Sequence, residues 1–189
     1  SSDGGVIVLR EIARRLPLAE TIAGRLIDDR DQARVLHTYE EMALARMVMI
    51  AAGYEDCDDI DALRTDPALK MAIGRAPETG GDLMSQPTLS RLENTPDWRA
   101  LARIGFGMID VYCRSFARAP KRIVLDIDDT DDPVHGQQEL ALFNAHYDCT
   151  CFQPIHVFDG LSGKPVLSLL RPGKRPSGEG GGKMRTILI

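Results

Sequence analysis

Apolar residues in this chain recur every three to four positions as far as Tyr112, and by alternation from Ile123 onward, with Pro120 at the change. That switch from a helical period of about 3.6 residues to the strand period of two limits the fold more than any other feature. It predicts helices first and strands afterwards, in separate stretches, which is the α+β class. Residues 1–119 are expected to form a helical domain, and residues 120–189 to begin a second, sheet-containing one.

Within the helical stretch, Val8, Leu9, Ile12 and Leu16, then Leu18, Ile22 and Leu26, have helical spacing in two pieces broken by Pro17. Residues 32–52 predict a longer helix with Leu36, Tyr39, Met42, Ala43, Met47 and Ile50 on one face and Gly53 to end it. Asp66-Pro67 is a helix start and Gly74 a stop, followed by a loop over 75–85. The segment Ser85–Asn94 reads as a short helix with Thr88, Ser90 and Arg91 on its polar side. Hydroxyls beside a guanidinium suit a helix that grips DNA phosphates or reads base edges, although a capped surface helix has the same composition. Thr95-Pro96-Asp97 opens the last helix, with Trp98, Leu101, Ile104, Met108 and Tyr112 on one face, and Pro120 closes this half. Arg114, Arg118, Lys121 and Arg122 make a basic corner next to it.

The stretch Ile123–Pro133 carries an aliphatic run into five aspartates within seven residues. The run predicts a buried strand with acids at its carboxyl end, where sites in open sheets gather. Asp126 and Asp128 should face one side, and Leu125, Ile127 and Asp129 the other. Packed like charges repel unless a cation or solvent relieves them, so two carboxylates on one face could share Mg²⁺ or Mn²⁺. An acidic solvated turn is the plain alternative. Tyr147–Phe158 and Pro165–Leu170 predict two further strands joined at Asp159-Gly160, giving three strands in antiparallel succession. His146, Cys149, Cys151 and His156 lack zinc-ligand spacing, and the thiols read as small strand residues.

A net charge of −5 excludes a generally basic nucleic-acid binder, so any DNA contact must come from local patches. Four cysteines without a secretory signal predict reduced thiols, and no apolar run reaches the ~20 residues that cross a bilayer. The expectation is a cytoplasmic protein with no membrane segment. Both ends look cut: Ser1 stands where an initiator Met would, and a glycine run at 178–182 precedes Ile187-Leu188-Ile189.

Several of these segments together resemble one family. They are Ser2-Asp3-Gly4-Gly5, Gly53-Tyr54-Glu55-Asp56, Asp66–Lys70, Ser85–Asn94, Leu125–Gln138 and Leu170-Arg171-Pro172-Gly173. In order and over nearly the whole of Ser2 to Ser177, the chain resembles the bacterial insertion-sequence transposases with a DDE (Asp-Asp-Glu) domain, group 1. The resemblance implies a ribonuclease-H-like domain that uses Mg²⁺ or Mn²⁺ to cut transposon ends and join them to target DNA. It implies double-stranded DNA as partner, including the transposon inverted repeats, a homo-oligomer in the synaptic complex, and a nucleoid-associated location. Asp128-Asp129-Thr130 matches the family's first acid motif, which assigns the first catalytic and metal-binding acid to Asp128, with Asp126 as its rival. The second Asp and the Glu would follow the third strand, and Glu179 is no substitute, so the chain is expected to be an inactive front portion. A haloacid-dehalogenase-type phosphatase, with Asp126 as nucleophile and Asp128 as acid/base, is the competing reading. It requires a parallel strand pair joined through a helix. A non-catalytic DNA-binding remnant is the third.

Overall fold

The computed structural model describes residues 3–174; the glycine run, Glu179 and the apolar tail named above lie outside them. The chain divides into two compact units, Ser1–Ile104 and Gly105–Ile189.

The first unit is helical. Its helices are α1 (Val6–Arg15), α2 (Leu18–Ala23), α3 (Tyr39–Ala51), α4 (Ile60–Leu63), α5 (Pro67–Ile73), α6 (Gln86–Asn94) and the start of α7 (Trp98–Arg114). Pro17 separates α1 from α2 as its spacing predicts. Asp66 caps α5 by accepting the Leu69 N–H at 2.9 Å, and Gly74 ends it with φ of +95°, where a side chain would be strained. α3 is shorter than expected. Thr38 accepts the Glu41 N–H at 3.1 Å and starts the helix at Tyr39, while residues 32–34 form a single 3₁₀ turn capped by Asp31. The expected face is borne out at Tyr39, Met42 and Ala43, which are buried, but not at its two ends. Leu36 is 84% and Ile50 51% exposed, while Met42, Ala45, Val48 and Met49 are buried. Those four residues meet Ile60, Leu69, Leu83, Met84 and Leu89 in the core, and α3 packs on α1, α2, α5 and α6. Arg75 anchors the 75–85 loop: it pairs with Glu41 and donates to the carbonyls of Gly81 and Asp82.

The second unit contains β1 (Leu125–Asp129), β2 (Asp132–Pro133), β3 (Leu142–Asn144), β4 (Cys149–Phe152), β5 (Ile155–Asp159) and β6 (Lys164–Leu169). They form two three-stranded sheets, β1-β5-β6 and β2-β4-β3, and every pairing is antiparallel. β1 therefore runs antiparallel to β5 with no helix between them in the chain, unlike the pairing that the phosphatase reading requires. The stretch Tyr147–Phe158 is two strands where one was expected. Gln153-Pro154 breaks it, because proline has no N–H for a ladder. The Pro154 carbonyl instead accepts the Thr130 N–H at 3.2 Å.

Along the named strands the chain thus passes between the sheets twice, after Asp129 and again at Gln153-Pro154, and Pro172 then pairs back with Phe152 of β4. Arg171 ties both crossings. Its Nη2 lies 3.1 Å from Asp129 Oδ2, its Nε donates to the Gln153 carbonyl at 2.9 Å, and its own carbonyl accepts the Gln153 N–H at 2.9 Å. Two residues on, a Cβ at Gly173 would run into the Cys151 and Leu142 carbonyls, so only glycine fits there. The expectation of a buried first strand is overturned. Leu125 is 54% and Ile127 63% exposed, on an edge strand with little covering either of its faces. At the β5–β6 turn, the buried Asp159 carboxylate accepts the Ser162 hydroxyl at 2.6 Å and the Leu161 N–H at 3.1 Å. The Ser162 bond, helped by that N–H, holds its carboxyl below the usual range although burial pulls the other way.

Two outcomes follow for the second unit. Arg171→Leu and Asp129→Asn should each lower its unfolding free energy by about 1–3 kcal/mol, less than additively when combined, in a denaturant double-mutant cycle. A folded-state carboxyl below its unfolded value stabilises above that value and loses the contribution as pH falls. The thermal midpoint of the second unit should therefore drop below about pH 4, and Asp159→Asn should flatten that dependence.

Candidate active site on the first strand

β1 presents the acids as alternation requires. Asp126 and Asp128 lie on one face, both exposed, while Asp129 lies on the other with Arg171. Asp126 stands opposite Phe158 and Asp128 opposite His156, and His156 in turn stands opposite Ser168. Directly opposed Cβ atoms in an antiparallel pair are ~5 Å apart, so a polar row Asp128, His156, Ser168 crosses the sheet. His156 Nδ1 is 2.9 Å from Ser168 Oγ. If that hydroxyl donates, the imidazole proton sits on Nε2 and His156 is a donor beside Asp128.

The two outward carboxylates supply hard oxygen donors of the kind that suit Mg²⁺ or Mn²⁺. Among the described residues, no three Asp, Glu, His or Cys side chains converge as metal donors. The fit is therefore partial. Asp126 and Asp128 could form one side of a cation site and would need donors from elsewhere to complete it.

The predicted DNA-contact residues are divided between the two units. On α6, Leu89 and Leu92 are buried and Arg91 is exposed. The hydroxyls beside it are partly engaged locally. Thr88 Oγ1 lies 3.1 Å from Ser85 Oγ, and the Ser90 hydroxyl accepts the Asn94 amide N–H at 3.3 Å. In the second unit, Arg114, Arg118, Lys121 and Arg122 are all exposed, and Arg114 lies 4.0 Å from Asp110. The sequence reading missed a fifth cation there. Lys164 stacks 3.9 Å over the Phe116 ring and donates to the Ser115 carbonyl at 3.0 Å. It also passed over Arg171 and Gln153 as partners of Asp129, since nothing in local spacing links positions 42 residues apart.

No described helix is long and apolar enough to cross a membrane. The family profile for the transposase DDE domain, group 1, matches residues 1–188. No curated protein and no solved structure matches the chain. With β1 carrying its paired acids and the family pattern running through both units, the chain belongs to the DDE-domain transposases of group 1.

Proposed function

We propose that Asp128 is the first acid of a ribonuclease-H-like DDE site, and that β1, β5 and β6 are the opening strands of that sheet. One observation carries the reading: Asp126 and Asp128 share an exposed face of β1, the first strand in chain order of the antiparallel sheet β1-β5-β6. The substrate is duplex DNA at transposon ends, and the reaction is strand cleavage and joining at a phosphodiester.

Each residue has a defined part. Asp128 and Asp126 offer carboxylate oxygens on the side where a phosphate would lie. A bound divalent cation would supply positive charge against the developing phosphate oxyanion and lower the pKa of an attacking hydroxyl. His156, tethered at Nδ1 by Ser168, presents Nε2 near the same phosphate. Asp129 is committed to Arg171 and holds β1 in register. Arg91 on α6, flanked by Ser90 and Thr88, and the corner Arg114, Arg118, Lys121 and Arg122 contact backbone phosphates. These local cations account for DNA binding by a chain whose net charge is negative.

The 189-residue chain should bind Mn²⁺ weakly in calorimetric titration and should not nick a transposon-end duplex, since two exposed carboxylates give few fixed donors. Nicking by this chain that disappears in Asp128→Ala would overturn the weak-site reading and still confirm Asp128. Arg91→Ala should weaken duplex binding and reduce the slope of log K against log salt by about 1. An unchanged slope would remove α6 from the interface.

A further inference from the structure

In the first unit, one ring nitrogen of His37 has two claimants. Its Nδ1 lies 2.9 Å from Arg75 Nη2 and 3.3 Å from Glu41 Oε2. A guanidinium only donates and an ionised carboxylate only accepts, so the proton count on that nitrogen decides which bond forms. The three side chains are largely shielded, at 15% exposed for His37, 17% for Glu41 and 21% for Arg75. Bulk solvent therefore does little to blur the choice.

Arg75 carries the choice beyond the ring. All five of its N–H donors are engaged: Nε with Glu41, Nη1 with the Gly81 and Asp82 carbonyls, and Nη2 with the Leu36 carbonyl and His37. Those bonds close the 75–85 loop, whose last apolar residues, Leu83 and Met84, are buried in the helical core. While Nδ1 is bare it accepts from Arg75, the ring proton sits on Nε2, and His37 is neutral. A solvent proton taken up by the Nδ1 lone pair makes that nitrogen a donor. It then suits Glu41 alone, and Arg75 loses an acceptor and gains a like charge beside it.

The surrounding charges favour the neutral ring. Burial pushes His37 below its ordinary value, and the Arg75 and Arg64 guanidiniums push the same way, against Glu41. The other charges nearby are paired. Arg30 donates to the His37 carbonyl at 3.1 Å and is held by Asp28 at 2.6 Å. Arg64 lies 3.8 Å from Asp82, and Arg34 lies 3.4 Å from Asp31. His37 also lines a cavity of about 360 Å³ with Arg34 and Thr88.

We propose that His37 is an acid-released latch: neutral, it holds Arg75 and the 75–85 loop closed, and protonated, it turns to Glu41 and lets the loop open. The inference concerns the first unit and does not rest on the DNA reading. A histidine held below its unfolded value leaves the unfolded chain binding more protons between the two values, so stability there falls as pH falls.

The test titrates the ¹⁵N-labelled 189-residue chain by NMR from about pH 8 to about pH 4.5, a range spanning the ordinary histidine value of ~6.5. Imidazole shifts should place the His37 proton on Nε2 at the upper end. The reporters of loop closure are the Gly80 and Leu83 amides, which donate to the Ala76 and Arg64 carbonyls at 3.1 and 2.9 Å. Their protection factors should fall about 10-fold as His37 protonates, with the midpoint of the ring itself. His37→Gln can still accept from Arg75 but cannot titrate, so its protection should stay level across the range. Glu41→Gln leaves His37 in place and weakens the acceptor of the protonated ring, so ring and loop midpoints should move together to lower pH. A proton on Nδ1 at the upper end would overturn the proposal. So would protection that is unchanged as the ring protonates, or that is lost equally in His37→Gln.

Discussion

The second unit depends on one guanidinium. Arg171 reaches the Asp129 carboxylate and the Gln153 carbonyl, while its own carbonyl holds the Gln153 N–H. Those contacts join the places where the chain leaves one sheet for the other. A charge-assisted pair with both partners partly buried helps to hold two small sheets whose strands are only two to six residues long. A lysine would have to reach both acceptors from one nitrogen, whereas the guanidinium serves them from Nε and Nη2 separately.

That pair divides the labour among the aspartates of β1. Alternation puts Asp129 on the face that meets Arg171 and Asp126 and Asp128 on the other, so the ion-paired acid and the acids proposed for the site are neighbours with opposite surroundings. The Asp129–Arg171 contact fixes the end of the strand on which Asp126 and Asp128 stand. A phosphate site needs its donors held to fractions of an ångström, and a strand pinned at its carboxyl end provides that. The row from Asp128 through His156 to Ser168 extends the polar surface across the sheet and aims one ring nitrogen.

Much of this was legible in the chain. Periodicity separated helices from strands, Pro17 and Asp66-Pro67 marked helix limits, and the alternation of Asp126 and Asp128 followed from strand geometry. The misjudged features share a cause: each depended on a partner remote in sequence. Leu36 and Ile50 have helix-face spacing, but Thr38 starts α3 at Tyr39, and the packing of α1, α2, α5 and α6 chooses which face is buried. Ile123, Leu125 and Ile127 read as core until the sheet order puts β1 at an edge. Gln153-Pro154 is a visible break, yet only the second sheet shows where the chain goes after it. Arg171 carries no local sign of its role, since its partners lie 18 and 42 residues away.

The edge position of β1 has a cost in colloidal behaviour. An edge strand with exposed Leu125 and Ile127 is a template on which another chain can add a strand. Asp126 and Asp128 alternate with those residues, and their charge keeps a second sheet from docking in register. The same two carboxylates, proposed above as ligands, therefore also act as gatekeepers against self-association. An uncharged residue at either position removes a donor and a guard in one step, so loss of function in such a variant must be weighed against self-association before it is credited to the reaction.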